Sequence, residues 1–472
     1  MKFQVERDVL AEAVGWASRA LPSRPVIPVL SGLLLEAAAD GLTLSCFDYE
    51  VSARVEVAAE VAEPGTVLVP GRLLAEITRS LPSLPVEFAD DPEGVALTCG
   101  SASFTLVTLP LEEYPDLPEL PQIAGTVDGG MLAAAISQVA PAASRDDTLP
   151  MLTGVNIEVD GETMTLVATD RYRLAVRDLP WNPAPPGRTG EFLVPGRTLA
   201  DAARTMAPGE EVTIRLRSDG SSGPLTTAPN DPGAGARPAA GGPPAPRGGD
   251  AMIGFEAGGR RLTTRLIAGD YIKYRSRFPA DLPCRADMPA GPFTEAVRRV
   301  SLVAERGSAV RLSFGASQVT IEAETQGRAR AREIVRADFA GTEPMIAFSP
   351  HFLLDGIAAA GLAAAAPRAE GSDGRPRAAR PGATAARPAP DDPAADNLSA
   401  SSAAPIGALG PDLSAAHLAG ARIRIGFSTA TRPAVITGVR ARQTEEETAG
   451  TVPEEASDFR YLVVPLRAAD RQ

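Results

Sequence analysis

Two hydrophobic periods alternate along the N-terminal part of this chain. In ERDVLAEAVGWASRAL, which begins at Glu6, the apolar residues Val9, Leu10, Ala13 and Val14 recur at helical spacing and predict an amphipathic helix. Three strand-like stretches follow, LLLEAAA, LTLSCF and ARVEVAAE, split by the turn dipeptide Asp40-Gly41. VPGR, from Val69, then turns a strand end into a second helix, LLAEITRSL, with Pro70 near its start. VEFAD, VALTCG and SFTLVTL close the unit as further strands. The pattern predicts two similar halves, each a helix with a small antiparallel sheet.

The same pattern is written three times. GLLLEAAADGLTLSCFDYEVSARV opens at Gly32 and GVNIEVDGETMTLVATDRYRLAV at Gly154; they align without a gap at an offset of 122 residues, pairing Thr43-Leu44 with Thr165-Leu166 and Asp48 with Asp170. A looser copy, VRLSFGASQVTIEAETQGRARA, begins at Val310 and sets Thr320-Ile321 on the same dipeptides. The second motif recurs as VPGRLLAEI from Val69, VPGRTLADA from Val194 and FSPHFLLDGI from Phe348, so its spacings are 125 and 154 residues. Units of this length are whole domains, well above the ~20–50 residues of solenoid repeats. Three equivalent α+β domains predict six helices and six small sheets, arranged in an arc or ring that encloses something.

Length agrees, since 472 residues suit about three domains. MKFQVERDVL has no long apolar run, so no signal peptide is expected, and no apolar stretch of about 18 residues offers a membrane span. Cys46, Cys99 and Cys284 are scattered without CxxC spacing, which argues against a disulfide framework or zinc site and suits a reducing cytoplasm. The net charge of −13 excludes a generally basic nucleic-acid binder but not a basic inner surface. Residues 217–250 and 362–420 are dense in small and Gly/Pro residues without hydrophobic periodicity. Both read as disordered insertions in surface loops, either tolerated low-complexity sequence or a tether for partners.

In order along the chain, MKFQVER, RPVIPVLSGLLLEA (24–37), VATDRYRLAV (167–176), KYRSRFP (273–279), RPAVITG (432–438) and YLVVPLR (461–467) resemble the β sliding clamps of bacterial DNA polymerase III. The resemblance covers nearly everything outside the two insertions and implies three clamp domains, 1–123, 124–279 and 280–472. It further implies half of a ring: two subunits join head to tail around duplex DNA, with helices lining the hole and sheets forming the wall. The expected function is a processivity factor that is loaded by a clamp loader and tethers the DNA polymerase III alpha subunit and other clamp-motif proteins in the cytoplasm.

No catalytic centre is expected independently of that resemblance. His351 and His417 are the only histidines, which leaves no good Ser-His-Asp or Cys-His arrangement, and GxxxxGK[ST] and HExxH are both absent. No cofactor or metal is implied. Sliding needs phosphate contacts that read no bases. The candidate DNA-facing residues are Arg24, Arg72, Arg79, Arg197, Arg204, Arg298 and Arg299, with Arg72 and Arg197 at equivalent places in VPGR. Arg24 matches a family position that touches DNA. Residues 129–142 are nearly uncharged, 350–361 offer only His351, and Asp146-Asp147 stand where the family often carries further polar contacts.

The resemblance also implies a groove that takes a short Gln-and-Leu-type peptide. It maps onto Leu152, Thr169, Arg171, Tyr172, Arg173 and Leu174; then Ile272, Ser276 and Arg277; then Ser349, Phe352, Thr431, Pro433, Leu462, Val463, Val464, Pro465, Leu466 and Arg467. Leu174 and Phe352 are expected to line its floor. Ile272 stands where Pro is usual and Ser349 where Asn is common, and AADRQ extends the usual C-terminus. The implied dimer contact joins Phe104 and Leu106 on SFTLVTL to Leu302 and Val303. Three readings stay open: the main replicative clamp, a diverged paralogue with other partners, and a ring-like scaffold that binds no DNA.

Overall fold

The structure is a computed structural model and describes residues 1–204, 206–217, 251–305, 307–325, 328–365, 418, 420–439 and 458–466. The first repeat runs β1 (Lys2–Val5), α1 (Arg7–Ala17), β2 (Gly32–Ala38), β3 (Gly41–Phe47), β4 (Val51–Val57), β5 (Glu60–Glu63), β6 (Gly65–Pro70), α2 (Gly71–Ser80), β7 (Val86–Asp91), β8 (Gly94–Cys99) and β9 (Ala102–Leu106). The second has β10 (Gln122–Asp128), α3 (Gly129–Val139), the short α4 (Pro150–Thr153), β11 (Gly154–Asp160), β12 (Thr163–Thr169), β13 (Arg173–Pro180), β14 (Asn182–Pro183), β15 (Thr189–Pro195), α5 (Gly196–Ala203), β16 (Glu211–Arg217), β17 (Met252–Ala257) and β18 (Arg260–Arg265). The third repeats the order with β19 (Cys284–Pro289), α6 (Ala290–Ser301), β20 (Val310–Phe314), β21 (Gln318–Thr325), β22 (Ala329–Arg336), β23 (Asp338–Ala340), β24 (Met345–Phe348), α7 (Pro350–Ala365), β25 (Arg422–Phe427), β26 (Ala434–Val439) and β27 (Phe459–Val463).

In α1 the predicted stripe is buried at Leu10, Ala13 and Val14, but Val9 is exposed and Trp16 and Ala17 take part instead. In α2, Leu74, Ala75, Ile77 and Thr78 are buried while Arg72, Glu76 and Arg79 are exposed, the spacing of one apolar face. The glycine of VPGR has a packing cause: a Cβ at Gly71 would lie 2.5 Å from Leu21 Cδ1, and one at Gly196 would lie 2.8 Å from the Thr153 carbonyl oxygen. Only glycine lets the helix start sit that close. The helices pack in pairs, α1 on α2, α3 on α5 and α6 on α7, with α3 also meeting α7 across repeats.

The sheets depart from the expected six. Each repeat supplies a five-stranded and a four-stranded half, but four of the six halves fuse across repeats into two nine-stranded sheets. Their orders are β14-β10-β16-β17-β18-β4-β3-β2-β6 and β15-β11-β12-β13-β27-β26-β25-β19-β23. The first junction pairs β18 with β4, setting Leu262 opposite Ala53. The second pairs β13 with β27, setting Ala175 opposite Tyr461. Fusion satisfies backbone donors and acceptors that an edge strand leaves unpaired. The remaining halves, β5-β1-β7-β8-β9 and β22-β21-β20-β24, keep β9 and β22 as edges among the described residues.

The proposed insertion boundaries need correction. Residues 362–365 belong to α7, and Leu418 is fully buried against Gly361, where a Cβ would lie 2.5 Å from Leu418 Cδ2. Arg217 is the last residue of β16 and pairs with Met252. Residues 218–250 and 366–417, with His417, lie outside the described residues, as do 440–457.

Candidate functional site

The turn inside VATDRYRLAV is built by its own side chains. Asp170 Oδ1 accepts the N–H groups of Tyr172 and Arg173, both at 3.0 Å, and Thr169 Oγ1 donates to the Arg173 carbonyl at 2.6 Å. Arg171 is held at φ +80°. The first repeat makes the same turn, with Asp48 Oδ1 accepting from Glu50 at 3.0 Å and Val51 at 2.7 Å and Tyr49 at φ +72°. The repeated aspartate is a turn-former of the Asx type.

The turn carries Tyr172 outward and starts β13 against the C-terminal strand. Arg173 lies opposite Val463 and Leu174 opposite Leu462. Beyond β27 the chain crosses from the second repeat to the third: the Val464 N–H donates to the Tyr172 carbonyl and the Leu466 N–H to the Ala347 carbonyl, each at 2.8 Å. Successive strand residues face opposite ways, and this divides the expected groove in two. Leu174 and Leu462 pack with Val167, Val176 and Tyr274, with Ile272, Tyr271 and Phe278 against them. Arg173 turns the other way, its guanidinium 4.7 Å from the centre of the Phe352 ring, and that ring stacks on Tyr172 at 6.1 Å and 17°. Leu174 and Phe352 therefore form no common floor; they belong to two apolar patches on either side of the Tyr172–Val464 bond.

Burial sorts the other groove residues. Thr169, Arg173, Leu174, Leu462, Val463 and Pro465 are buried and act as support. Arg171, Tyr172, Ser276, Arg277 and Thr431 are exposed, and Leu152, Ile272, Ser349, Phe352, Pro433, Val464 and Leu466 are half-buried. Arg467 lies outside the described residues. Ser349 Oγ and His351 Nδ1 are 2.9 Å apart, and burial followed by the charge of Arg173 lowers the His351 pKa. Burial opposes the charge on Arg173, but Tyr461 and Asp355 more than offset it and raise its pKa. Sequence reasoning missed Asp170, Tyr274, Asp355 and Tyr461 as site residues, although Asp170 and Asp355 match Asp48 and Asp201 in the repeats and Tyr274 and Tyr461 lie inside KYRSRFP and YLVVPLR.

The seven candidate DNA-facing arginines also separate. Arg24, Arg79 and Arg197 are exposed and make no ion pair among the described residues. Arg72 donates from Nη2 to the Leu21 carbonyl at 3.1 Å. Arg204 lies 3.7 Å from Asp201, Arg298 3.0 Å from Glu295, and Arg299 3.1 Å from Glu333 through Nε, so these three are already partnered by carboxylates. A recess of about 290 Å³ between the first two repeats brings the repeat-equivalent Arg72 and Arg197 together with Arg19. At Asp146, hydrogen bonds from Thr148 lower the carboxyl pKa, and the residue serves a turn.

On the free edge strand β9 Phe104 is 37% exposed, and Val107 just after it is 70% exposed; Leu302, at the C-terminus of α6 in the third repeat, is 85% exposed. Leu106 is only 2% exposed because it packs into the core of its own repeat, so it is not an open contact residue. Val303 is half-buried.

Three equivalent repeats fused edge to edge, with complementary half-sheets left at the two ends, define a three-domain clamp. Sequence profiles of the DNA polymerase III beta subunit match in order: the N-terminal domain at residues 1–118, the central domain at 126–273 and the C-terminal domain at 275–364. A beta sliding clamp of Streptomyces coelicolor is 50% identical over 359 residues, 76% of this chain and 88% of the relative. A protein of Streptomyces muensis described as a beta sliding clamp homolog, GriR, is 44% identical over 357 residues, again 76% and 88%. The solved sliding clamp of Bacillus subtilis superposes with a TM-score of 0.71 at 23% identity, covering 99% of this chain and 100% of that one, which bears on the fold alone. The chain belongs to the DNA polymerase III beta subunit family, the bacterial beta sliding clamps, and is a DNA sliding clamp of the α+β class.

Proposed function

We propose that two copies close head to tail into a homodimeric ring around duplex DNA, and that the ring holds the DNA polymerase III alpha subunit and other clamp-motif proteins through the two-part groove. The observation that carries ring closure is the pair of leftover half-sheets. Five strands of the first repeat and four of the third are what each internal junction joins into nine. The register follows from the repeat. Phe104, Leu262 and Tyr461 hold the same place, opposite Leu97, Phe255 and Ile436. Ala53, Ala175 and Ala331 likewise sit opposite Cys46, Ala168 and Ala323. Both internal junctions set the large residue against the alanine, so Phe104 of one copy should face Ala331 of the next. Leu262 and Tyr461 are 8% and 1% exposed where their junctions are made, against 37% for Phe104.

Within this reading the domains divide at 1–123, 124–279 and 280–472. Arg24, Arg72, Arg79 and Arg197 supply sequence-independent phosphate contacts, and the protein performs no catalysis. Among the described residues no cluster of three or more side chains suits a metal, and no helix is long and apolar enough to cross a membrane. The departures at Ile272 and Ser349 lie in the groove itself and keep a paralogue with different partners as a second reading. Loading by a clamp loader onto nicked circular DNA, followed by linearisation, tests the proposal. The protein should stay with the circle and leave the linear form; retention on both would mark ordinary DNA binding, and failure to load would leave a scaffold.

A further inference from the structure

Arg173 sits in the expected groove yet has little surface to offer a peptide, being 8% exposed. Its Nε donates to Asp170 Oδ2 at 3.0 Å and its Nη1 to the Tyr461 hydroxyl at 3.4 Å. Nη1 also pairs with the Asp355 carboxylate, and Nη2 donates to the Pro141 carbonyl. The guanidinium lies over the Phe352 ring, and the Tyr461 hydroxyl donates to the Phe352 carbonyl at 2.9 Å. Thus the arginine and one of its partners both hold Phe352, whose ring holds Tyr172.

The first junction shows what happens without it. At the equivalent places stand Val51 for Arg173, Leu262 for Tyr461, Thr198 for Phe352, Asp201 for Asp355 and Arg19 for Pro141, while Asp48 keeps the turn made by Asp170. These residues line the recess of about 290 Å³, and β4 still pairs with β18 alongside it. Joining two repeats therefore does not require a buried guanidinium, whose desolvation is costly. What the second junction has and the first lacks is the aromatic pair beside the C-terminal tail.

We propose that Arg173 is a positioning residue for partner recognition: it clamps the Phe352 ring, and through it Tyr172, so that one half of the groove is preformed before a clamp-binding peptide arrives. The inference rests on the groove reading above. Preformation raises affinity by removing the cost of ordering the site at binding, and a site that is competent only part of the time binds more weakly by that fraction.

The test is a mutant cycle on the full chain, read as the Kd of a fluorescent peptide carrying a Gln and apolar anchors. Arg173→Met should weaken binding about tenfold, Phe352→Leu by a similar factor, and the double variant no more than about twofold beyond Phe352→Leu, because an arginine that acts through the ring has nothing left to position. Asp355→Asn should give about a threefold loss that also vanishes in the Phe352→Leu background; this cycle carries the test if Arg173→Met is insoluble. Multiplying losses would mean direct contact or general destabilisation and would overturn the proposal, as would wild-type affinity in Arg173→Met with a loss in Phe352→Leu. If Phe352→Leu and removal of residues 464–472 both leave affinity unchanged, the groove itself is misplaced and both readings fall.

Discussion

Leu302 offers the sharpest test of ring closure. It caps the C-terminus of α6 and is 85% exposed, so truncating it takes almost nothing from the folded monomer. Burying a leucine side chain contributes about 1.5–3 kcal/mol, and nearly all of that is still available to a second copy. Leu302→Ala should therefore remove about 2 kcal/mol per contact. A closed head-to-tail dimer contains two identical contacts, so the loss doubles to about 4 kcal/mol and the dimer Kd should rise about a thousandfold. Leu106→Ala would be a poor probe, because a residue 2% exposed takes core stability with it when removed. Sedimentation velocity across a dilution series, with thermal unfolding as the control, reads the outcome. A variant that remains dimeric at wild-type dilution, or that melts far below the wild type, would refute the assignment of this surface.

Four further outcomes follow from the same geometry. Arg79→Ala and Arg197→Ala should each lower the salt dependence of DNA retention by about one counterion unit, whereas Arg299→Ala, already paired with Glu333, should change it little; equal effects in competition binding at several salt concentrations would contradict this. Deleting 464–472 should abolish peptide binding while leaving the fold intact, whereas a cut at 462 should also damage the junction, because Leu462 and Val463 belong to β27; peptide anisotropy and circular dichroism separate the two. Replacing 218–250 with a short Gly/Ser turn should leave the thermal midpoint nearly unchanged, since Arg217 and Met252 are already paired across β16 and β17. His351 has a lowered folded pKa, so the folded state binds fewer protons than the unfolded chain near and below about pH 6.5, and its share of stability is lost as pH falls through that window. His351→Gln should flatten the pH dependence of denaturant midpoints there, and an unchanged profile would remove the residue from the account.

Much of this protein was decided within short windows of sequence. The apolar stripe of α2 and the Asx turns at Asp48 and Asp170 each depend on residues a few positions apart. The VPGR glycine was legible by its repetition, but its cause, close approach to Leu21 and to the Thr153 carbonyl, lies far along the chain. Tertiary structure decided what meets across long separations. Arg299 finds Glu333 and Arg173 finds Asp355, while Arg79 and Arg197 find no carboxylate among the described residues, and spacing along the chain encodes none of this. Alternation placed Phe104 and Leu106 on one strand face but could not say that only Leu106 reaches the core, because that depends on where the sheet ends. The six half-sheets were readable as separate units; the fusion of four of them into two sheets of nine was not, since a strand's period reports which face is buried and carries no information about which edge will pair with it.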